Sequence, residues 1–128
     1  MSKIDFLFKD LKKANQRLKE VGLKRGKSDI RRDATLQRFE FTFELTWKLM
    51  QALAKDSGED VFGPKNAIRF AAKANLIDKP EAWFKYHEFR NQIAHIYQED
   101  MAKKIYQEVK DFYQVVDIFI CQTEEYLA

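Results

Sequence analysis

The sequence predicts an all-α fold, an up-and-down bundle of four long helices plus one short helix, and three observations lead there. Only 4 glycines and 2 prolines punctuate 128 residues, which leaves room for long helices and few turns. Apolar residues recur at three- and four-residue steps over most of the chain, the period of an amphipathic helix. The C-terminal part carries a heptad-like seam suited to antiparallel packing.

Ile4, Leu7, Phe8, Leu11, Ala14, Leu18 and Val21 form one stripe, so the spacing predicts a helix over about 2–21. Gly22 and Gly26 break it, and Ser28 or Asp29 can cap the next helix. That second helix is expected over 29–57. Leu36, Phe39, Phe43, Trp47, Met50 and Ala54 line one stripe and Phe41, Leu45 and Leu49 a second, an apolar arc broad enough to touch more than one neighbour. Ser57-Gly58 ends it. Gly63-Pro64 opens a short helix over 64–74, because proline is accepted in a first turn, and Asn75 stands where helices often stop. Pro80 starts a fourth helix to Tyr97. The fifth, over 99–127, carries Ile105, Val109, Phe112, Val116 and Phe119 at alternating steps of four and three. No linker, repeat or low-complexity stretch divides the chain, so residues 1–128 read as one domain.

Composition narrows the function classes. Hydrophobic residues make up 45% and charged residues 34%, which excludes disorder and a membrane protein alike. No apolar run approaches the roughly 18 residues of a membrane span. The first ten residues lack the layout of a signal peptide, so the expected location is cytoplasmic. Cys121 is the only cysteine, which rules out an internal disulfide and a cysteine-based zinc site within one chain. The net charge of +3 permits a phosphate-rich partner. The 11 phenylalanines fall mostly at helical spacing and are expected in the core.

The segment HEFRNQIAHIYQED carries Arg90, Asn91, His95 and Tyr97 in the spacing Arg-Asn-x3-His-x-Tyr. Arginine offers a planar fork of donors that matches phosphate oxygens. An unperturbed histidine titrates near pH ~6.5 and so can move protons. Asn91 can orient the histidine or bind phosphate, and Tyr97 can hydrogen-bond phosphate or stack on a base. At about 100° per residue, Arg90 and His95 differ by ~140° around an ideal helix. Closing that gap needs the reach of the arginine, a helix end near His95, or a second protomer.

That spacing resembles the signature of the HEPN superfamily (higher eukaryotes and prokaryotes nucleotide-binding domain). RFEFTFELTWK at 38–48, PKNAIRFAAKANLI at 64–77 and RNQIAHIY at 90–97 are similar, in order and spacing, to stretches of its nucleotidyltransferase substrate-binding proteins. The resemblance covers nearly the whole chain. It implies a helical bundle that forms a homodimer, with the Arg–His helices facing each other. It implies as partner a small polymerase-beta-type nucleotidyltransferase. In related toxin–antitoxin pairs the HEPN member is a metal-independent endoribonuclease, and the transferase attaches AMP to the tyrosine after the histidine, here Tyr97. By that resemblance Arg90, Asn91 and His95 are the catalytic set. The alternative is a non-catalytic subunit that binds a nucleotide or other substrate for the transferase; a third option is a structural dimer that regulates its partner's stability. Where members often have an acidic residue directly after the tyrosine, this chain has Gln98, then Glu99 and Asp100.

Other constellations carry less. Lys24, Arg25, Lys27, Arg31 and Arg32 gather at the first interhelical turn and form a candidate patch for RNA or for the partner protein. His87 and His95 are about 12 Å apart along a helix, too far for one metal. Glu40 and Glu44 lack the accompanying Glu-x-x-His of a di-metal site. No metal and no cofactor are expected, and with no Gly-rich phosphate loop, nucleotide-transfer chemistry belongs to the partner.

Overall fold

The computed structural model describes residues 2–23, 28–95 and 98–128. Its helices are α1 (Lys3–Leu23), α2 (Asp29–Asp56), α3 (Gly63–Lys73), α4 (Pro80–Ile93), α5 (Glu99–Val109) and α6 (Phe112–Leu127). The long helix expected over 99–127 is thus interrupted at Lys110–Asp111. The heptad seam still runs through the break, for Ile105, Val109, Phe112, Val116 and Phe119 are all buried. The Lys110 carbonyl lies where a Cβ on Gly22 of α1 would be 3.3 Å away, while the Gln114 N–H bonds Asp111 O at 3.0 Å. The tight turn lets the backbone of α6 begin against α1 at a residue without a side chain.

The chain's turn residues fix the ends of the elements. The Ser28 hydroxyl accepts from Arg31 N–H at 3.0 Å and caps α2. At the other end of α2, Gly58 takes φ +89°, with Gly58 N bonded to Lys55 O and Glu59 N to Ala54 O at 2.9 Å. That is a Schellman stop, and α3 ends the same way with Asn75 at φ +60° and Leu76 N bonded to Ala71 O. Glycine meets no steric penalty there, and asparagine is among the few other residues that adopt this conformation readily. Gly63, at φ +85°, donates its N–H to Gln51 Oε1 of α2 at 2.9 Å, which ties the start of α3 to its neighbour.

α2 is the central helix, packed on α1, α3, α4 and α5, as its broad apolar arc requires. Phe112 of α6 is the hub of the core. Its ring meets Phe39 of α2 edge-on at 4.9 Å, and Trp83 and Tyr86 of α4 at 5.4 and 4.7 Å. Such a buried aromatic is worth about 3–5 kcal/mol against alanine. The expectation that the phenylalanines are core fails at Phe6, Phe41 and Phe62, which are exposed. Within the second stripe of α2, Leu49 is buried while Phe41 is left exposed. The buried threonines bond within their own helices: Thr35 to Arg31 O, Thr42 to Arg38 O, Thr46 to Thr42 O and Thr123 to Phe119 O. Buried Asn15 of α1 instead crosses to α6, donating to Tyr113 O at 3.1 Å and Asp117 Oδ1 at 2.8 Å. Among the described residues no helix is long and apolar enough to cross a membrane.

Candidate functional site

α4 brings its polar groups to its C-terminal end. Apolar Trp83, Tyr86 and Phe89 hold the helix against the core, which leaves Arg90 at the margin of the packing and Asn91 in solvent. The helix stops at Ile93, and His95 lies exposed in the turn that follows, its N–H bonded to Gln92 O at 2.9 Å. A helix end near His95 is one of the three ways of bringing it towards Arg90. Among the described residues, no hydrogen bond or ion pair joins the two side chains. Tyr97 lies outside the described residues.

Arg90 reaches back to α2, where its Nε sits 2.7 Å from Glu44 Oε1. Nε is buried and its N–H is not aligned on an acceptor, so the contact is an ion pair and not a directed hydrogen bond. The two side chains are 31% and 26% exposed, so the pair is half-screened by solvent. Among the described residues, no hydrogen bond engages the arginine's Nη groups, and these are the donors that a bidentate anion would take. Arg90 and Glu44 line one side of a cleft of about 500 Å³ whose other walls include Arg17, Arg38, Glu40 and Phe41. Arg38 is braced by donating to Arg17 O at 2.8 Å.

Sequence reasoning set Glu44 aside as half of a metal pair; its part is to hold Arg90. It weighed His87, which lies one turn before Arg90, only as half of a metal pair with His95. The His87 ring stacks near Phe43 with centroids 6.0 Å apart. Burial, with Lys65 and Arg90 nearby, lowers its pKa below the ordinary value, against the opposing pull of Glu44 and Glu88. The shift favours the uncharged imidazole. The spacing of His87 and Arg90 on one helix face was the available signal.

The basic patch divides. Lys24, Arg25 and Lys27 lie outside the described residues. Arg31 and Arg32 line a groove of about 520 Å³ with Lys103, Tyr106 and Lys110. Arg32 is clasped by Asp33 at 3.2 Å, Asp29 at 3.4 Å and Glu99 at 3.5 Å, which joins the first turn of α2 to that of α5. Among the described residues no three of His, Cys, Asp and Glu converge as a metal site. Cys121 is exposed and has no histidine beside it in sequence.

Fold and site together define an all-helical protein with a cleft lined by Arg17, Arg38 and Arg90 and by the carboxylates of Glu40 and Glu44. The chain belongs to the family described as nucleotidyltransferase substrate binding protein like, whose model matches residues 7–125. A solved structure from Thermus thermophilus superposes with a TM-score of 0.80 at 30% identity, covering 88% of this chain and 97% of that one. A Haemophilus influenzae structure, described as revealing the fold of a substrate binding domain of a nucleotidyltransferase, gives 0.66 at 25% identity, with coverage of 93% and 95%. A curated Haemophilus influenzae protein, probable ribonuclease HepT, is 30% identical over 82 residues, which is 60% of this chain. The matched stretch spans 56% of that relative's length.

Proposed function

We propose that this protein pairs with a small polymerase-beta-type nucleotidyltransferase and acts as a metal-independent endoribonuclease of the HEPN type, the toxin of a toxin–antitoxin pair. The observation that carries this reading is the arrangement at the end of α4. Arg90 is anchored through Nε on Glu44, with its Nη groups free of hydrogen bonds among the described residues, and His95 stands exposed just past the helix end. The similarity to a probable ribonuclease supports it.

In the proposed reaction the 2′-oxygen attacks the adjacent phosphorus. Its proton passes to a neutral imidazole, the P–O5′ bond breaks, and the leaving 5′-oxygen takes a proton from an imidazolium. Arg90 balances the charge that builds on the non-bridging oxygens. Asn91 orients the histidine or the phosphate. One His95 per chain cannot serve as acid and base at once, so the reaction wants two copies related by a two-fold axis, in a cytoplasmic homodimer. AMP attached to Tyr97 would add a bulky anion close to Arg90 in sequence and block the RNA.

A second reading has its own support. The cleft of about 500 Å³ beside Arg90 is roomy enough for a small nucleotide, and the Haemophilus structure is described as a substrate binding domain. In that reading the chain presents a ligand to the transferase and cuts nothing.

The deciding experiment is cleavage of a mixed RNA pool in EDTA by wild type and by His95→Ala, after mass spectrometry shows Tyr97 unmodified. Light scattering on the same samples reports the oligomeric state. Cleavage that His95→Ala loses supports the ribonuclease. Absence of cleavage in both proteins sinks it, and calorimetry with nucleotides in the presence of the transferase then tests the binding subunit.

A further inference from the structure

One turn before Arg90 on α4, His87 lines a second cleft. This one, about 310 Å³, lies between α3 and α4 and is lined by Lys65, Arg69, Phe84, Lys85, His87 and Glu88. Three of these side chains are permanent cations and one is an acid. Arg69 is held in place, donating to Asn66 Oδ1 at 2.8 Å with its guanidinium 5.6 Å from the Phe84 ring. Lys65 and Lys85 are exposed, and neither has a salt-bridge partner among the described residues. His87, one turn before Arg90 on α4, feels the charges of both Lys65 and Arg90. From Lys85 to Arg90 is about 7.5 Å along the helix. Around the helix Lys85 stands about 140° from Arg90 and His87 only about 60°, so the basic surface runs on from Arg90 past His87 to Lys65 and Arg69 of α3.

We propose that the α3–α4 cleft is a backbone-phosphate subsite for the RNA strand whose scissile phosphate sits at Arg90. Lys65, Arg69 and Lys85 neutralise neighbouring phosphates, and His87 offers a hydrogen bond on the side nearer Arg90. This inference rests on the ribonuclease reading and gives it a substrate path. Because Arg69 already covers the Phe84 face, the subsite does not stack a base. It reads phosphate and not sequence, so an oligouridine and an oligoadenine should use it alike.

The test is fluorescence anisotropy with a labelled single-stranded oligouridine, at several salt concentrations, in a His95→Ala background that keeps the strand whole. Lys65→Gln with Lys85→Gln removes two exposed cations without touching the core. Lys9→Gln with Lys13→Gln, in the groove between α1 and α6, is the matched control for net charge. The expected result is weaker binding by the first pair, and a plot of log affinity against log salt flattened by about 1.4, since each lost single-strand phosphate contact removes about 0.7. The control pair should keep the slope. RNA binding with the same slope in both pairs overturns the subsite and leaves the ribonuclease reading standing. Loss of the nucleotidyltransferase from the Lys65/Lys85 variant with unchanged RNA binding also overturns it and makes the cleft a protein dock. If the parent protein binds no RNA, the ribonuclease reading falls and the subsite with it.

Discussion

Arg32 and Arg90 are both half-buried arginines near a helix end, yet their surroundings treat them in opposite ways. Arg32 in the first turn of α2 has three carboxylates around it, from Asp29, Asp33 and Glu99. Arg90 near the end of α4 has one, from Glu44, on Nε. The first is a clasp between two helices with its charge already matched. The second is paired through Nε beside a cleft that it helps to line. The difference teaches that two arginines of similar exposure can have their charge matched to very different degrees, and it is the less matched one that the proposed reaction uses.

The largest effect expected from this contrast comes from exchanging each arginine for lysine, which keeps the charge and loses the planar fork. Arg90→Lys should lower RNA cleavage on the order of a hundredfold, comparable to losing one oriented donor at a developing oxyanion. Arg32→Lys should leave cleavage unchanged and lower the melting temperature slightly. Equal losses of cleavage would break the comparison.

A second test acts on the clasp from below. Ser28→Ala removes the cap of the turn that holds Arg32 and should cost about 1 kcal/mol in denaturant unfolding, with cleavage per folded molecule preserved. A large fall in activity there would mean that the start of α2 belongs to the working site after all.

Glu44→Gln probes the single anchor of Arg90. The pair is partly solvated, so stability should change by less than about 1 kcal/mol. RNA should bind more tightly once the carboxylate no longer repels phosphate, while cleavage falls because the fork is no longer held. Tighter binding with undiminished cleavage would show that Glu44 does not orient Arg90.

The smallest effect concerns His87, which Lys65 from α3, Arg90 and Glu88 from α4 and Glu44 from α2 all influence. Its folded-state pKa is depressed, so the unfolded chain binds its proton first. Stability should therefore decline as pH falls through the unfolded value of about 6.5 and level off below the folded value. His87→Gln should remove part of that decline in melting curves between neutral and acid pH. An identical pH profile in the variant would show that the group is not desolvated as the packing implies.

The parts of the fold that depend on local chemistry were legible in the sequence. Ser28, Gly58, Pro64 and Asn75 mark ends that their own backbone preferences dictate, and the core stripes of α1 and α2 follow from periodicity. The break at Lys110–Asp111 was not legible, because no glycine or proline stands there; the Lys110 carbonyl comes close to Gly22 of α1, a contact between distant stretches. Nor does periodicity decide that Phe41 stays in solvent while Leu49 of the same stripe is buried. At the site, the angular gap between Arg90 and His95 was readable, and so was the need for something to close it. The pairing of Arg90 with Glu44 and the joining of α3 to α4 around His87 are contacts between distant stretches. No spacing rule within one helix announces them.

Asn15 has a consequence for the alignment of the bundle. The buried threonines satisfy themselves within their own helices, and greasy side chains of similar size allow one helix to slide a turn along another at modest cost. Asn15 does not allow it, because its amide reaches two acceptors on α6 that lie one turn apart. A slip of α6 would take both acceptors from the Nδ2 group of an amide whose buried Oδ1 already has no partner among the described residues. Asn15 thus works as an index mark that selects one alignment of the first helix against the last, and Asn15→Leu should give a protein that is still helical and compact but less singular in its packing.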